Sequence, residues 1–326
     1  MPRIPWKVRL SCCALALVAG GSLAGASEVS TAPAAIAPMA IRPTPAPIVE
    51  PVHAEPGPAE VTPIPNLDVT GLRFPSGLTI PGGTKHRALL FTFDDGPSRR
   101  TTPRLLDMLD ELGIKAVFFV KSESFGNGNP WEREHAEILR EIVRRGHMIG
   151  NHTETHRQLP LLRNAEIQAE LALSERKIER VVGSKPRLIR PPGGALSKRV
   201  EQLLGENGYT SVMWALYGGD LEVSTAEDVV RTFFRVLERR EQDTGDRGGI
   251  VLMHDTKPHS LDALPRLVSA LQKRNCKLLA DGEELYDIVD DLGYFIPGHE
   301  PDETLEERQE DLRARTRRAC NTVAFR

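Results

Sequence analysis

The stretch that decides the fold is Ala88-Leu-Leu-Phe-Thr-Phe-Asp-Asp-Gly-Pro97. Its first part, Ala88–Phe93, is almost entirely apolar, as expected for a strand buried on both faces of a parallel sheet. Two adjacent carboxylates follow, Asp94 and Asp95, and then a Gly-Pro turn. Adjacent residues of an extended chain point in opposite directions, so the turn must aim the two carboxylates differently. One could bind a metal while the other stays free as a base; the alternative is an ordinary turn with both carboxylates in solvent.

Short apolar strands alternate with amphipathic helices along the rest of the chain. Strands are predicted at Ala88–Phe93, Lys115–Val120, Met148–Asn151, Leu188–Arg190, Ser211–Ala215, Gly249–His254 and Cys276–Leu279. Helices are predicted at Pro103–Leu112, His135–Arg145, Ala165–Val182, Lys198–Asn207, Ala226–Arg240 and Leu261–Lys273. This alternation predicts a parallel α/β fold, with a closed or nearly closed barrel as one solution. Functional side chains are then expected at the carboxyl ends of the strands.

The two ends of the chain differ from this central part. Residues 1–26 hold early basic residues, an apolar run from Leu10 to Leu23 and then Ala24-Gly25-Ala26, which is typical of a secretory signal; the alternative is a retained membrane anchor. Residues 27–79 are interpreted as a Pro-rich linker, since ten prolines lie between residues 31 and 66. A catalytic domain is predicted over residues 80–292 and a charged tail, with a solvated helix, over residues 293–326. The protein is therefore expected to be exported, either periplasmic or secreted, without a stable membrane span after signal cleavage.

The composition argues against a nucleic-acid-binding protein. The 326 residues include 42 Lys plus Arg and 45 Asp plus Glu, for a formal charge of -3, and only 5% are aromatic. A nucleic-acid-binding surface would need a basic stripe with aromatic residues, so no nucleic-acid partner is expected.

Of four cysteines, Cys276 and Cys320 lie outside the predicted signal. They could form one disulfide in an oxidising compartment, or Cys276 could be a buried strand residue.

The second informative stretch is Met148-Ile-Gly-Asn-His-Thr-Glu-Thr-His156. His152 and His156 are four residues apart, which on a helical turn places both imidazoles on one side, as in divalent metal sites. With Asp95 they form a set of two His and one carboxylate that suits zinc holding a catalytic water. His147, before the strand, is interpreted as structural.

Two more strand ends carry polar side chains. Arg190 could pair with a carboxylate, and the following Pro191-Pro-Gly-Gly194 leaves backbone N–H groups accessible, unless it is only a turn. His254 stands at the mouth of the apolar strand Gly249–His254, where a general acid would belong, although an isolated strand-end His is more often structural.

The ordered series TFDDGP, GHMIGNHTETH, RPPGG, a Trp with a later Asp, and IVLMHDTKPH resembles the polysaccharide deacetylases of carbohydrate esterase family 4, which include chitooligosaccharide deacetylases. The resemblance spans roughly residues 86–290 and implies a distorted (β/α) barrel of about seven parallel strands. It also implies roles for individual residues. By this resemblance Asp95, His152 and His156 are metal ligands, usually for Zn²⁺, with Co²⁺ and Mn²⁺ as further candidates. Asp94 is the catalytic base, and Arg190 is the arginine that orients it. His254 is the general acid, and it is supported by Asp220, six residues beyond Trp214.

Two positions depart from the family pattern. Gly193 stands where family members usually have Tyr; its backbone N–H is still expected to bind the oxyanion. Leu221 stands where a Trp commonly walls the acetyl pocket, so the shape of the pocket is in question. Residues 121–134 are interpreted as an enlarged loop that could contact substrate.

The expected function is hydrolysis of N-acetyl groups on an acetylated polysaccharide containing N-acetylglucosamine, of chitooligosaccharide or peptidoglycan type. One alternative is an O-acetyl esterase, because the same attack by water serves esters. The other is a non-catalytic glycan-binding protein, whose signature would be the loss of one or more of the five residues Asp94, Asp95, His152, His156 and His254; all five are present.

Overall fold

The computed structural model describes residues 68–126, 129–299, 301 and 303–323. The predicted signal, residues 1–26, and most of the predicted linker, residues 27–79, lie outside the described residues.

The described residues form one curled, mostly parallel sheet surrounded by helices. Its strands are β1 Thr79–Ile80, β2 Gly83–Thr84, β3 Ala88–Asp94, β4 Val117–Val120, β5 Met148–Asn151, β6 Leu188–Ile189, β7 Thr210–Val212, β8 Leu216–Tyr217, β9 Gly248–His254 and β10 Asp287–Ile288. The main path runs β1-β7-β6-β5-β4-β3-β9-β2, with β10 beside β3 and β8 beside β9. Among these pairs the β2–β9 pair is antiparallel. The α/β barrel-like architecture predicted from the sequence is confirmed.

The register of β3 places the functional strand ends together. Asp94, the last residue of β3, is paired with Phe119 of β4 on one side and with His254 of β9 on the other. The next strands continue the edge, since Val120 pairs with Asn151 of β5. Because the strands are parallel, the polar residues that follow them emerge on one side of the sheet.

Seven helices cover the sheet: α1 Thr102–Leu112, α2 Pro130–Arg144, α3 Asn164–Val182, α4 Lys198–Glu206, α5 Ala226–Thr244, α6 Pro258–Ala280 and α7 Leu305–Val323, counted over the part of the chain that is described. Their apolar faces and the outward face of the sheet form the largest core cluster, which includes Phe93, Phe118 and Phe233. A separate cluster lies around Phe119, Ile80 and Ile250. Burial of these side chains is the main favourable contribution to folding.

The predicted strand Cys276–Leu279 is wrong, because these residues form the last turn of α6. The apolar positions Leu264, Leu267 and Leu271 keep the helical spacing, and buried Asn275 extends the same face. The Asn275 side chain accepts a hydrogen bond from Tyr286 N and donates one to Tyr286 O, at 2.7 and 2.8 Å. The strand that follows this helix is β10, which pairs with the start of β3.

The predicted loop at residues 121–134 is shorter than expected. Helix α2 begins at Pro130 instead of His135, because the Asn129 side chain accepts a hydrogen bond from Glu132 N at 2.9 Å and so caps the helix. Residues 122–124 form a single 3₁₀ turn just after β4.

Residues next to the predicted domain limits also contact the sheet. Ile149 N donates to Val69 O at 2.7 Å, and Arg187 N donates to Thr70 O at 2.8 Å, within what the sequence places at the end of the linker. At the other end, Arg308 of α7 donates to Asp287 of β10 at 2.6 Å. Helix α7, predicted as a solvated helix, therefore has one side attached to the body of the protein.

Cys276 and Cys320 form a disulfide that joins α6 to α7, with Cα atoms 5.8 Å apart. Of the two interpretations left open by the sequence, the bridge is the one observed. Among the helices of residues 68–126, 129–299 and 303–323, none combines the length and the apolar character needed to cross a bilayer.

The double substitution Cys276→Ser with Cys320→Ser should lower the free energy of unfolding by about 2–4 kcal/mol, because the bridge restricts the unfolded chain. Urea unfolding followed by circular dichroism measures this change. The unsubstituted protein in dithiothreitol is the matched control and should unfold at the same urea concentration as the double variant; equal midpoints for the oxidised protein and the double variant would contradict the stabilising role.

Candidate active site

A cleft of about 320 Å³ opens at the carboxyl edge of the sheet. It is lined by Asp94, Asp95, His152, His156, Gly193, Trp214, Tyr217, Leu221, Glu222, Leu252 and His254. All predicted site residues except Arg190 and Asp220 thus face one cavity. Those two are buried behind the lining, where they contact Asp94 and His254.

The turn after β3 separates the two adjacent carboxylates. Asp94 is 3% exposed and ends the strand, whereas Asp95 has a φ of 75° and is more open. The next residue must be glycine, because a Cβ on Gly96 would lie 2.0 Å from Asp255 Oδ2. The hydroxyl of Thr102 donates to the same Asp255 carboxyl group. Burial raises the pKa of Asp255 to about 7, with nearby Asp95 adding to this effect and the Thr102 hydrogen bond opposing it.

One ligand atom from each of Asp95, His152 and His156 can be chosen so that all lie within 4.8 Å of one another. Asp95 Oδ1 is 3.7 Å from His152 Nε2 and 3.3 Å from His156 Nε2. His152 Nδ1 lies 2.6 Å from Arg190 O; a carbonyl can only accept, so Nδ1 carries the proton and the Nε2 lone pair faces the cleft. Burial lowers the pKa of His152 although Asp94 and Asp95 oppose it, which favours the neutral, ligating imidazole. Two imidazoles, one carboxylate and an open side toward the cleft fit a divalent metal ion.

The loop between the two histidines is fixed by α3. Thr153 and His156 have positive φ values of 66° and 59°, which are uncommon for residues with side chains. Thr155 donates to Glu170 of α3 from both N and Oγ1, at 2.8 and 2.6 Å. Lys177, also on α3, donates to Glu154 at 2.7 Å in a buried ion pair. These contacts hold the unusual backbone, and hence both imidazoles, in place.

Arg190 is fully buried and connects β3 to β7. Its Nη1 donates to Asp94 Oδ1 at 2.8 Å and to Thr92 Oγ1 at 2.7 Å, and its Nε donates to Val212 O at 2.9 Å. The guanidinium carbon also lies 4.1 Å from the centre of the Phe119 ring. Burial lowers the pKa of Arg190 while the Asp94 carboxylate raises it. The ion pair orients Asp94, whose second oxygen Oδ2 lies 3.7 Å from His152 Nε2.

His254 is held by a carboxylate behind it. Asp220 Oδ1 lies 3.0 Å from His254 Nδ1, and Asp220 Oδ2 accepts from His254 N at 2.7 Å and from Ser260 Oγ at 2.6 Å. Burial alone would lower the pKa of His254, but the hydrogen bond and charge of Asp220 raise it above its ordinary value. The free Nε2 lies 4.0 Å from Asp95 Oδ2, at the cleft.

The two glycines after Pro192 suit the local backbone and packing. Gly193 has a φ of 62°, in the left-handed region, so the replacement of the usual Tyr by Gly suits this backbone. At Gly194 a Cβ would lie 2.6 Å from the Trp214 ring. Gly193 and Trp214 both line the cleft beside the histidines.

The wall of the cleft is open at Leu221, which is 58% exposed. Tyr217, which is 40% exposed, and Glu222 line the same side of the cleft, and neither was identified from the sequence. A signal existed for Tyr217, since it lies three residues beyond Trp214 in the same short segment. For Glu170 and Lys177 there was none, because polar residues on a helix are ordinarily solvated.

Several known proteins are similar to this chain in sequence. Residues 82–212 match the family model described as polysaccharide deacetylase. The chain is 27% identical over 192 residues to a peptidoglycan-N-acetylglucosamine deacetylase of Bacillus cereus, with 58% of this chain and 64% of that protein covered. It is 30% identical over 218 residues to a chitin deacetylase of Arthroderma benhamiae, with 65% and 56% covered.

Among solved structures, the chitin deacetylase of Colletotrichum lindemuthianum superposes with a TM-score of 0.51 at 26% identity, covering 62% of this chain and 88% of that one. The chain spans about half to two thirds of the length of the curated relatives it matches. The motifs occur in the expected order, residues 82–212 match the family model, and the fold agrees with that of a solved chitin deacetylase. The chain therefore belongs to the polysaccharide deacetylase family.

Proposed function

We propose that this protein is a metal-dependent deacetylase that hydrolyses N-acetyl groups of a polysaccharide containing N-acetylglucosamine, of chitooligosaccharide or peptidoglycan type, and releases acetate. One observation carries the proposal. A single cleft brings together a two-His, one-Asp ligand set, a second carboxylate ion-paired behind the cleft, and a histidine backed by a buried carboxylate. The named activities of the relatives support the same class of reaction.

Asp95, His152 and His156 would hold the metal ion, Zn²⁺ in the first place, with Co²⁺ or Mn²⁺ as further candidates. Such an ion supplies a Lewis acid that polarises the acetamide carbonyl and lowers the pKa of water toward about 7.

Asp94 acts as the base in this proposal. Arg190 binds its Oδ1 and so leaves Oδ2 toward the cleft, where it can take a proton from the attacking water. The water oxygen adds to the carbonyl carbon, and the Gly193 N–H donates a hydrogen bond to the oxyanion. His254, protonated through its pairing with Asp220, gives a proton to the sugar nitrogen as the carbon–nitrogen bond breaks, and acetate departs.

We also infer that the protein works outside the cytoplasm, in the periplasm or as a secreted protein. Residues 1–26 carry the predicted signal pattern, and the Cys276–Cys320 disulfide suits an oxidising compartment.

A comparison of substrates tests the proposal against its alternatives. Acetate release should be faster from an N-acetylated chitooligomer or peptidoglycan than from an O-acetylated xylan. The reverse preference would favour an O-acetyl esterase. Binding of glycan by metal-loaded protein that releases no acetate from any of the polymers would favour a non-catalytic role.

Asp94→Asn should abolish turnover while the metal content stays unchanged, because Asn keeps the shape of the side chain but cannot accept the proton at neutral pH. Acetate release and metal content by atomic emission check both parts. Asp243→Asn is the matched control, since Asp243 is exposed on α5 just before β9 begins, at the end of the sheet away from the cleft. Normal turnover by a folded, metal-loaded Asp94→Asn protein would show that Asp94 is not the base.

Asp220→Asn should shift the alkaline limb of the pH profile of kcat/KM to lower pH. Removing the carboxylate leaves burial to lower the pKa of His254, so the protonated imidazole that delivers the proton is lost sooner as pH rises. Ser260→Ala is the matched control, because it removes one hydrogen bond to Asp220 but leaves the carboxylate in place, and it should shift the limb much less. An unchanged limb in Asp220→Asn would assign the acid role to another group.

A further inference from the structure

A second cleft of about 290 Å³ adjoins the first, and the two share Asp95. Its other lining residues come from the turn before α1, from the segment after β4 and from α2, and they include Arg99, Arg100, Lys121 and His135. We call this the cationic cleft, defined by those four residues. A polysaccharide whose acetamido group reaches Asp95 and the histidines would place a neighbouring part of the polymer over it.

Three cations, Arg99, Arg100 and Lys121, and two carboxylates, Asp95 and Glu123, line the cationic cleft. Lys121 is ion-paired with Glu123 at 2.8 Å, and Arg99 with Glu134 at 3.0 Å. Arg100 is exposed and has no ion pair among the described residues. The positive end of α1, which begins at Thr102, adds to the potential. Because Lys121 and Arg99 are each paired with a glutamate, Arg100 is the cation of the cleft whose hydrogen-bond capacity is left for an anion.

Arg99 is held in place before any ligand arrives. Its guanidinium carbon lies 3.9 Å from the centre of the Trp131 ring, and Trp131 is 61% exposed. The Trp131 backbone is also fixed, because Trp131 O lies 2.8 Å from His135 Nδ1. An ordered guanidinium loses little entropy on binding a carboxylate, and the exposed aromatic ring offers a face for a sugar.

We propose that the cationic cleft is a subsite for a carboxylate-bearing substituent next to the N-acetyl sugar that is deacetylated. Guanidinium groups bind carboxylates in paired hydrogen bonds, which fits Arg99 and Arg100. The inference rests on the proposed function and narrows it: the substrate is an anionic glycan of peptidoglycan type, in which carboxylates lie beside N-acetylglucosamine, and not a neutral chitin-type polymer.

Kinetics on matched substrates test this subsite. The substrates are a peptidoglycan tetrasaccharide with free carboxylates, the same compound with its carboxylates amidated, and a neutral N-acetylglucosamine tetramer. The zinc-loaded protein should have the highest kcat/KM on the first, and this advantage should shrink as ionic strength rises. In Arg100→Ala the ratio of kcat/KM for the carboxylate form to that for the amidated form should fall by roughly fivefold, and in Arg100→Glu by about tenfold.

Arg104→Ala is the matched control, because Arg104 is an exposed arginine of α1 that is ion-paired with Asp262 outside the cleft. It should leave the ratio unchanged. Calorimetric binding of the carboxylate tetrasaccharide to the Asp94→Asn protein, with and without Arg100→Ala, gives a readout without turnover, and the second substitution should weaken binding by a similar factor.

Equal kcat/KM on carboxylate and amidated substrates, or a ratio that Arg100→Glu leaves unchanged, would overturn the subsite while leaving the deacetylase in place. Absence of acetate release from all three substrates would overturn the proposed function. In that case carboxylate-dependent binding that Arg100→Ala weakens would still support the cleft as an anion site, and equal binding of both forms would overturn it.

Discussion

The structure depends on a buried charge. Arg190 has no exposed surface, yet it carries a guanidinium into the interior of the sheet, where its cost is offset by Asp94, Thr92 and a carbonyl of β7. The same contacts join the end of β3 to β6 and β7 and aim Asp94 toward the cleft. The backbone carbonyl of Arg190 also fixes the ring of His152. Arg190 thus sets the direction of both the proposed base and a proposed metal ligand. An apolar residue in place of Asp94 would leave the Arg190 charge without an acceptor in the interior.

The parallel register of the strands explains why few side-chain contacts are needed to position the site residues. Asp94 and His254 are paired neighbours on β3 and β9, so the proposed base and acid approach the cleft from adjacent strand ends. The histidine loop leaves β5 two strands away and would be free to move without α3, whose Glu170 and Lys177 hold Thr155 and Glu154. Leu221, on the open side of the cleft, and Arg100, in the adjoining cationic cleft, take part in none of these contacts. Variation there can change which polymer is bound without disturbing the groups proposed to do the chemistry.

Much of this arrangement could be predicted from the sequence, because long apolar runs and adjacent ligand-type residues are local signals. The strands β3, β5 and β9, which end at or just before Asp94, His152 and His254, lie where the sequence predicts them. The prediction failed at Cys276–Leu279, where a short apolar run fits a strand as well as a helix and only the spacing from Leu264 onward distinguishes them. Among the two-residue strands, β6 is predicted from its apolar run, whereas β1, β2, β8 and β10 are too short to show any periodicity. The positioning roles of Glu170 and Ser260 arise from contacts between distant segments, which no local pattern records.

The most direct measurement is acetate release from an N-acetylated glycan by the protein after chelation, before and after addition of Zn²⁺, Co²⁺ or Mn²⁺, with chitooligomers and peptidoglycan assayed in parallel. The account predicts that the metal-free protein is inactive and that one of these ions restores activity on an amide-linked acetyl group. Full activity of protein shown to be metal-free, or silence of the metal-loaded protein on both polymers, would contradict it.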